Sequence, residues 1–341
     1  MLHSIQYLRA AAALMVVLHH IAIKGQQYGS DAFSFLTVGQ FGVDLFFIIS
    51  GFIMCHTTHG KNLSFGRFML ARVQRILPLY WLFTAVALLL WLSFPNMVNA
   101  GGGETSIWAS WLLAPNGMRY LVDNGWTLRY EFLFYLIFGL SLMLTKGKRQ
   151  LLVASVLLLL ALTGLLVKPE NSWLQFLLDP LLLEFLMGIA VFHLWRSGHL
   201  GRWPLSLLGL VGLVALIYQN DQGLVETPLG RVFSGGLPMM LICLSVVGAE
   251  DRLSGWRNMF KPLERLGDSS YSLYLSHVFV LSPLARVAQK VGILGGWSFG
   301  GLLLVGALLV GWLCYAWVER PLNAWAKQWG GGVLHRSARS V

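Results

Sequence analysis

Ile5-Gln6-Tyr7-Leu8-Arg9-Ala10-Ala11-Ala12-Ala13-Leu14-Met15-Val16-Val17-Leu18-His19-His20-Ile21-Ala22-Ile23 is the stretch on which the reading of this chain turns. It is long and apolar enough to cross a bilayer as a helix, for which about 20 residues are needed. Yet it carries Arg9, His19 and His20. An ionisable side chain is expensive inside a membrane and turns toward protein or water rather than lipid. Arg9 and His20 are eleven residues apart. At about 100° per residue that separation returns to within roughly 20° of one face, after a rise of about 16–17 Å. One stripe of the helix therefore holds a fixed cation near one membrane face and a titratable imidazole near the other, while His19 points roughly 80° away.

The rest of the chain fits a membrane setting. Of its 341 residues 56% are hydrophobic and only 12% are charged, against about 25% charged in soluble domains. Apolar runs predict an all-α, polytopic integral membrane protein with about ten transmembrane helices, near residues 5–23, 38–58, 77–94, 127–145, 150–167, 174–195, 204–220, 231–249, 270–289 and 297–318. With that count, seventeen Lys and Arg fall on one side of the membrane and six on the other, leaving Arg9 and Arg129 within spans. The positive-inside bias then places both termini in the cytoplasm. It also accounts for the net charge of +10 without nucleic acid. No cleavable signal peptide is evident. Cys55, Cys243 and Cys314 are scattered through apolar segments, which suggests neither a disulfide framework nor a metal site. Short connections leave one transmembrane domain over residues 1–325 and a basic, frayed cytoplasmic tail over 326–341. The long outer segment Pro95 to Gly125 contains the run Gly101–Gly103 and a Trp-rich patch, Ile107 to Leu113, read as an interfacial piece with Trp108 and Trp111 near the headgroups.

Further chemistry-bearing residues recur along the chain. Span two opens Gly42-Val43-Asp44-Leu45-Phe46-Phe47, so Asp44 lies at a depth similar to that of His20. Asp44 either orients that imidazole, as carboxylates do in hydrolase and transferase sites, or caps a helix starting at Gly42. Arg72 and Arg75 share a face at the cytoplasmic mouth. They suit phosphate groups, although ordinary positive-inside flanking and contact with lipid headgroups explain such a pair as well. Glu131 of span four and Glu184 of span six lie in the outer half, and each needs a polar partner or a wet cavity. Ser270, Tyr274 and His277 fall at i, i+4 and i+7, with Tyr271 bordering them, which gives a polar stripe that lines a ligand groove or joins helices. Glu319, at the end of the last span and at the inner level of Arg72 and Arg75, either joins their cluster or, as the better reading of it alone, forms a surface ion pair with Arg320 or another neighbour. Depth sorts Arg9, Arg72, Arg75, Tyr271, Tyr274 and His277 into an inner, donor-binding cluster. His20, Asp44 and Glu131 form an outer cluster suited to general base chemistry.

These stretches, together with Arg72-Val73-Gln74-Arg75-Ile76-Leu77-Pro78-Leu79-Tyr80, Trp126-Thr127-Leu128-Arg129-Tyr130-Glu131 and Glu319-Arg320-Pro321, resemble in content and order the membrane acyltransferase-3 family, in particular compact members that modify exopolysaccharides. The resemblance implies transfer of an acyl group, usually acetyl, from cytoplasmic acyl-CoA (acetyl-CoA) to a hydroxyl of an extracytoplasmic glycan or lipid-linked sugar, at a bacterial inner membrane. It implies that His20 is the essential base, that Asp44 and Glu131 belong to its polar site, and that Arg9, Arg72 and Arg75 serve the CoA end. Arg129 stands where relatives often have a small residue, which bears on the acceptor pocket. No fused esterase domain follows the last span. Without the resemblance, intramembrane Arg, His, Asp and Glu also suit a proton-coupled transporter or a glycan flippase, although no repeated halves are visible. A membrane scaffold explains the spans but leaves the ionisable clusters unused. The acceptor sugar, acetyl against succinyl, and the oligomeric state, a homo-oligomer included, stay open.

Overall fold

The structure, a computed structural model, describes residues 2–30, 32–94, 102–144, 148–202, 204–221, 229–293 and 296–337. Gly101, Lys146, Arg339 and residues 95–100, on which parts of the loop and tail readings fall, lie outside the described residues.

Helix follows helix in chain order. These are α1 (His3–Gln27), α2 (Gly42–Thr58), α3 (Phe65–Ser93), α4 (Ile107–Leu112), α5 (Gly125–Leu144), α6 (Arg149–Val167), α7 (Ser172–Leu177), α8 (Leu182–Arg196), α9 (Leu205–Asp221), α10 (Leu237–Gly248), α11 (Glu250–Gly255), α12 (Arg257–Asp268), α13 (Ser270–Lys290), α14 (Gly296–Cys314) and α15 (Arg320–Ser337). A 3-10 turn, Ser34–Phe41, leads into α2, and π turns at Val232–Gly236 and Tyr315–Glu319 lead into α10 and α15. In hydrocarbon every backbone N–H and C=O needs an internal partner, which is why spanning segments of this composition fold as helices.

Among the described residues seven helices are long and apolar enough to cross a membrane: His3–Gln27, Ser34–Thr58, Phe65–Ser93, Gly125–Leu144, Arg149–Val167, Ser172–Arg196 and Gly296–Gln328. Two shorter apolar helices, Leu205–Asn220 and Val232–Gly248, occupy the predicted seventh and eighth positions. The ninth is α13, whose Ser, Tyr and His stripe lowers its apolarity. The protein is an all-α, multi-pass membrane protein, and length and apolarity support seven spans outright rather than ten. The Trp-rich patch forms the six-residue α4, too short to cross a bilayer. Helix α15 continues through Ser337 over residues expected to form a tail.

The chain divides into two compact units. One comprises Met1–His59, Ala154–Lys168 and Leu178–Trp312; the other comprises Gly60–Val153, Pro169–Leu177 and Leu313–Val341. In the first unit α1 packs against α2, α12, α13 and the 3-10 turn, while α2 packs against α8. Glycines permit these close approaches. A Cβ on Gly188 would collide with the Ile48 carbonyl oxygen and stand 2.9 Å from the Gly51 Cα, so α2 and α8 cross backbone to backbone. Gly267, at the end of α12, lies likewise against the Gln6 backbone. The N-terminus of α1 leaves backbone donors without intrahelical partners. Glu250 of α11 fills two of these places, accepting from His3 N at 2.9 Å and Ser4 N at 2.8 Å, and its negative charge suits the positive end of the helix dipole. Beside this cap, Glu264 of α12 accepts from Arg257 Nε and Nη2 at 3.3 Å each. The Arg257 guanidinium holds the Glu264 carboxyl below the usual carboxylate range.

In the second unit α3 packs against α5 and α15. The segment after α3 docks on it through Tyr80, which is fully buried. The Tyr80 hydroxyl donates to the Ser110 carbonyl at 2.7 Å, and Ser110 Oγ in turn accepts from Leu121 N at 2.8 Å. Trp81 Nε1 donates to the Trp111 carbonyl at 3.0 Å, while Trp108 is exposed.

Candidate functional site

In the first unit Arg9 and His20 both turn to one neighbour, α13. Arg9 Nη2 donates to Ser270 Oγ at 2.9 Å and its Nη1 to Gln6 Oε1 at 3.1 Å, and Gln6 Nε2 donates on to Asp268 Oδ1. Further up the same pair of helices, the His20 ring stands 4.8 Å from that of His277, edge to face at 68°. The contacts of residue 6 with 268, 9 with 270 and 20 with 277 rise together, so α1 and α13 run parallel. His19 lies 5.4 Å from His20 and reaches the 3-10 turn through Thr37 O at 3.0 Å. The polar stripe of α13 therefore joins helices along the face that Arg9 and His20 share. Tyr274 extends it, 6.2 Å from His277 and 5.9 Å from Phe46 of α2. Tyr271 is partly buried in the turn above Ser270.

Hydrogen bonding fixes the tautomer of His20. Its Nδ1 lies 2.9 Å from the Val16 carbonyl oxygen. A carbonyl only accepts, so Nδ1 carries the hydrogen and Nε2 keeps the lone pair. This imidazole is set up to take a proton at Nε2.

The expected depth of His277 needs correction. Counting along the sequence puts it in the inner, donor-binding cluster, yet it packs on His20. The bond to Val16 folds the His20 ring back one turn toward the start of α1, and the Gly267–Gln6 contact sets the register of α13. Ten residues on from Gly267 and from Gln6, His277 and Val16 then meet at one level.

The expected partnership of Asp44 is also different. Asp44 is fully buried in the first turn of α2, but its carboxylate is gripped by Arg231, from Nε to Oδ1 at 3.2 Å and from Nη2 to Oδ2 at 2.9 Å. Nη2 also donates to the Gln40 carbonyl at 3.3 Å. The partner that grips this carboxylate is therefore Arg231, where the sequence points to His20 or to a helix cap. A bidentate guanidinium offers a buried carboxylate more than a shared imidazole proton does. By the charge count Arg231 is one of the six outer-side cations, and its place at the head of an apolar run is the signal in the sequence that it is partly buried. Glu184 is fully buried on α8. Its carboxyl group lies beside Asp44 and Arg231.

The second unit holds Arg72, Arg75 and Glu131. Arg72 is half-buried, its guanidinium 5.7 Å from the Phe68 ring and 6.0 Å from the Tyr135 ring, with Nε unbonded among the described residues. Arg75 is exposed. The Tyr135 hydroxyl donates to Glu131 Oε2 at 3.0 Å. Arg72 and Glu131 were assigned to opposite depth clusters, but they share Tyr135, because α5 runs antiparallel to α3 with Gly139 against Phe68 and Gly125 against Tyr80. Arg129 lies 5.0 Å from the Tyr130 ring and 5.4 Å from the Phe176 ring. Glu319 is 1% exposed within its π turn, so it is buried and not the surface ion pair expected.

Fold and stripe together define a polytopic membrane protein that keeps a base-competent imidazole inside its helices. Residues 2–316 match the model of the Acyltransferase domain family, Acyl_transf_3, and the chain belongs to that family. The expectation drawn from the ordered motifs is thereby confirmed. The chain is 31% identical to the exopolysaccharide production protein ExoZ of Rhizobium meliloti (strain 1021), covering 84% of this chain and 90% of the relative. It is 28% identical to the acyltransferase MdmB of Streptomyces mycarofaciens, over 87% of this chain and 84% of that protein. It is 24% identical to the peptidoglycan O-acetyltransferase OatA of Listeria monocytogenes, over 84% of this chain but 51% of OatA. No solved structure matches it.

Proposed function

We propose that this protein is a membrane O-acyltransferase, most simply an O-acetyltransferase, that carries an acyl group from cytoplasmic acyl-CoA to a hydroxyl of an extracytoplasmic glycan such as an exopolysaccharide or lipopolysaccharide sugar. The observation that carries this reading is the stripe on α1, with Arg9 and a base-competent His20 turned to one helix about 16–17 Å apart along the axis. Family membership and the relatives named for exopolysaccharide production and O-acetylation support the reaction class. The reading places the protein in a bacterial inner membrane with both termini cytoplasmic.

Acetyl-CoA is the donor substrate. Its phosphates need cations or hydrogen-bond donors, and Arg9, Arg72 and Arg75 offer them, with Tyr271 and Tyr274 beside the path of the pantetheine arm. His20 Nε2 takes the proton of the acceptor hydroxyl, and the oxygen attacks the thioester carbon. The C–S bond breaks and the thiolate recovers the proton from His20. Asp44, locked to Arg231, serves this reaction as a fixed charge rather than as a direct partner of the base, and Glu131, held by Tyr135, is assigned to the reaction from the family motif that it matches.

The test uses the full chain in proteoliposomes with radiolabelled acetyl-CoA, alongside mass spectrometry of the glycans of cells with and without the protein. His20→Ala abolishes acetyl transfer while the protein stays monodisperse; full activity in that variant refutes the assignment of the base. Acetyl-CoA binding distinguishes this reading from a transporter or flippase, which has no reason to bind the donor.

A further inference from the structure

We propose that His277 is a positioning residue for His20, an inference that rests on reading His20 as the base. His277 is fully buried on α13. Its Nδ1 lies 3.1 Å from the Leu273 carbonyl oxygen, so Nδ1 carries the hydrogen and donates it there. Nε2 keeps the lone pair, and among the described residues that buried nitrogen has no hydrogen-bond partner. The His20 ring stands 4.8 Å away and the Tyr274 ring 6.2 Å away.

This orientation leaves His277 nothing to give an anion. Its N–H is spent on Leu273, and its free edge is an acceptor, so it is a poor ligand for the phosphates of a donor. The same orientation suits a cation. When His20 takes the hydroxyl proton at Nε2, its ring becomes an imidazolium with its Nδ1–H still tied to Val16. A neighbouring neutral imidazole, with the positive end of its dipole turned to Leu273, is already arranged to stabilise that charge, and it needs no reorganisation as the charge develops. The resting ring gains little from this arrangement and the charged ring gains much, which is the difference that accelerates a chemical step. His277 itself gains and loses no proton. The proton travels from hydroxyl to His20 to thiolate.

The experiment compares His277→Phe, which keeps an aromatic ring and removes the acceptor, with His277→Gln, which keeps an acceptor. The full chain is reconstituted in liposomes and assayed with radiolabelled acetyl-CoA and a panel of p-nitrophenyl glycosides as acceptors. The Phe variant loses about tenfold or more in kcat while its KM for acetyl-CoA stays within about twofold, and the Gln variant recovers to within about threefold of wild type. Wild-type kcat in the Phe variant overturns the proposal. So does a raised donor KM with kcat retained, which returns His277 to the donor site, and so does an equal fall in both variants, which leaves a packing role only. If the Phe variant is not monodisperse, His277→Leu reads the same contrast. His20→Ala is run in parallel. Turnover in that control sinks the base reading itself, whereas a dead His20→Ala beside an unimpaired His277→Phe sinks only the positioning role.

Discussion

Replacing Arg231 by Met probes the most tightly determined charge pair in the first unit. The substitution keeps much of the side-chain volume but removes both bonds to Asp44, at 3.2 and 2.9 Å, and the bond to the Gln40 carbonyl at 3.3 Å. Breaking a buried ion pair from one side costs about 3–5 kcal/mol, because the remaining charge is stranded. Two features move the figure within that range. The Arg231 side chain is 22% exposed, so part of the guanidinium is already solvated and the loss shrinks. Glu184, fully buried beside Asp44, crowds the stranded carboxylate with a second carboxyl, and the loss grows. The expected net loss is about 3–4 kcal/mol. For a chain of this size that corresponds to a fall in unfolding midpoint of about 5 °C or more in detergent micelles. The double variant Arg231→Met with Asp44→Asn removes the stranded charge and recovers at least about half of the loss. A single variant within about 0.5 kcal/mol of wild type, or a double variant no more stable than the single one, refutes the argument that this pair is buried and coupled.

Three other perturbations follow from the packing. Glu250→Ala removes the acceptor for two N–H groups at the start of α1 and costs about 1–2 kcal/mol; hydrogen exchange should speed up at His3 and Ser4 while the middle of α1 stays protected. Gly188→Ala places a Cβ against Ile48 and Gly51 and destabilises by about 1–3 kcal/mol, whereas Gly66→Ala, with nothing within 4 Å of its added Cβ, is neutral or gains up to about 1 kcal/mol from helix propensity; equal melting shifts for the two contradict the backbone crossing. Glu264 has a depressed carboxyl, chiefly through its hydrogen bonds from Arg257, so its contribution is present above the ordinary carboxylate value and is lost as pH falls through the lower folded value. The side chain is partly exposed, so the effect is a few tenths of a kcal/mol; Glu264→Gln should flatten that acid-side fall, and an unchanged stability profile between neutral and acid pH removes the interaction from the account.

The parts of this architecture written in local spacing were legible from the residues. Arg9 and His20 share a face because eleven residues close three turns of a helix, and Ser270 and His277 face them for the same reason. What spacing does not encode is the rotation and depth of one helix against another. Asp44 meets Arg231, which lies 187 positions later in the chain, and no periodicity links the two. The depth of His277 followed from a glycine contact between Gly267 and Gln6 and from a side chain folded back on its own helix. Arg72 and Glu131 were separated by counting from presumed membrane faces, whereas the packing of Gly139 on Phe68 sets their true register. Glu319 read as superficial because it adjoins Arg320, but its π turn carries the side chain inward.

Helix α1 is stapled along its length: Glu250 holds its first amides, Asp268 and Ser270 hold Gln6 and Arg9, and His277 closes on His20. Tied to α11, α12 and α13 between His3 and His20, the helix is not free to slide along them as a piston. It serves as a ruler of constant length, one that carries α11, α12 and α13 along with it.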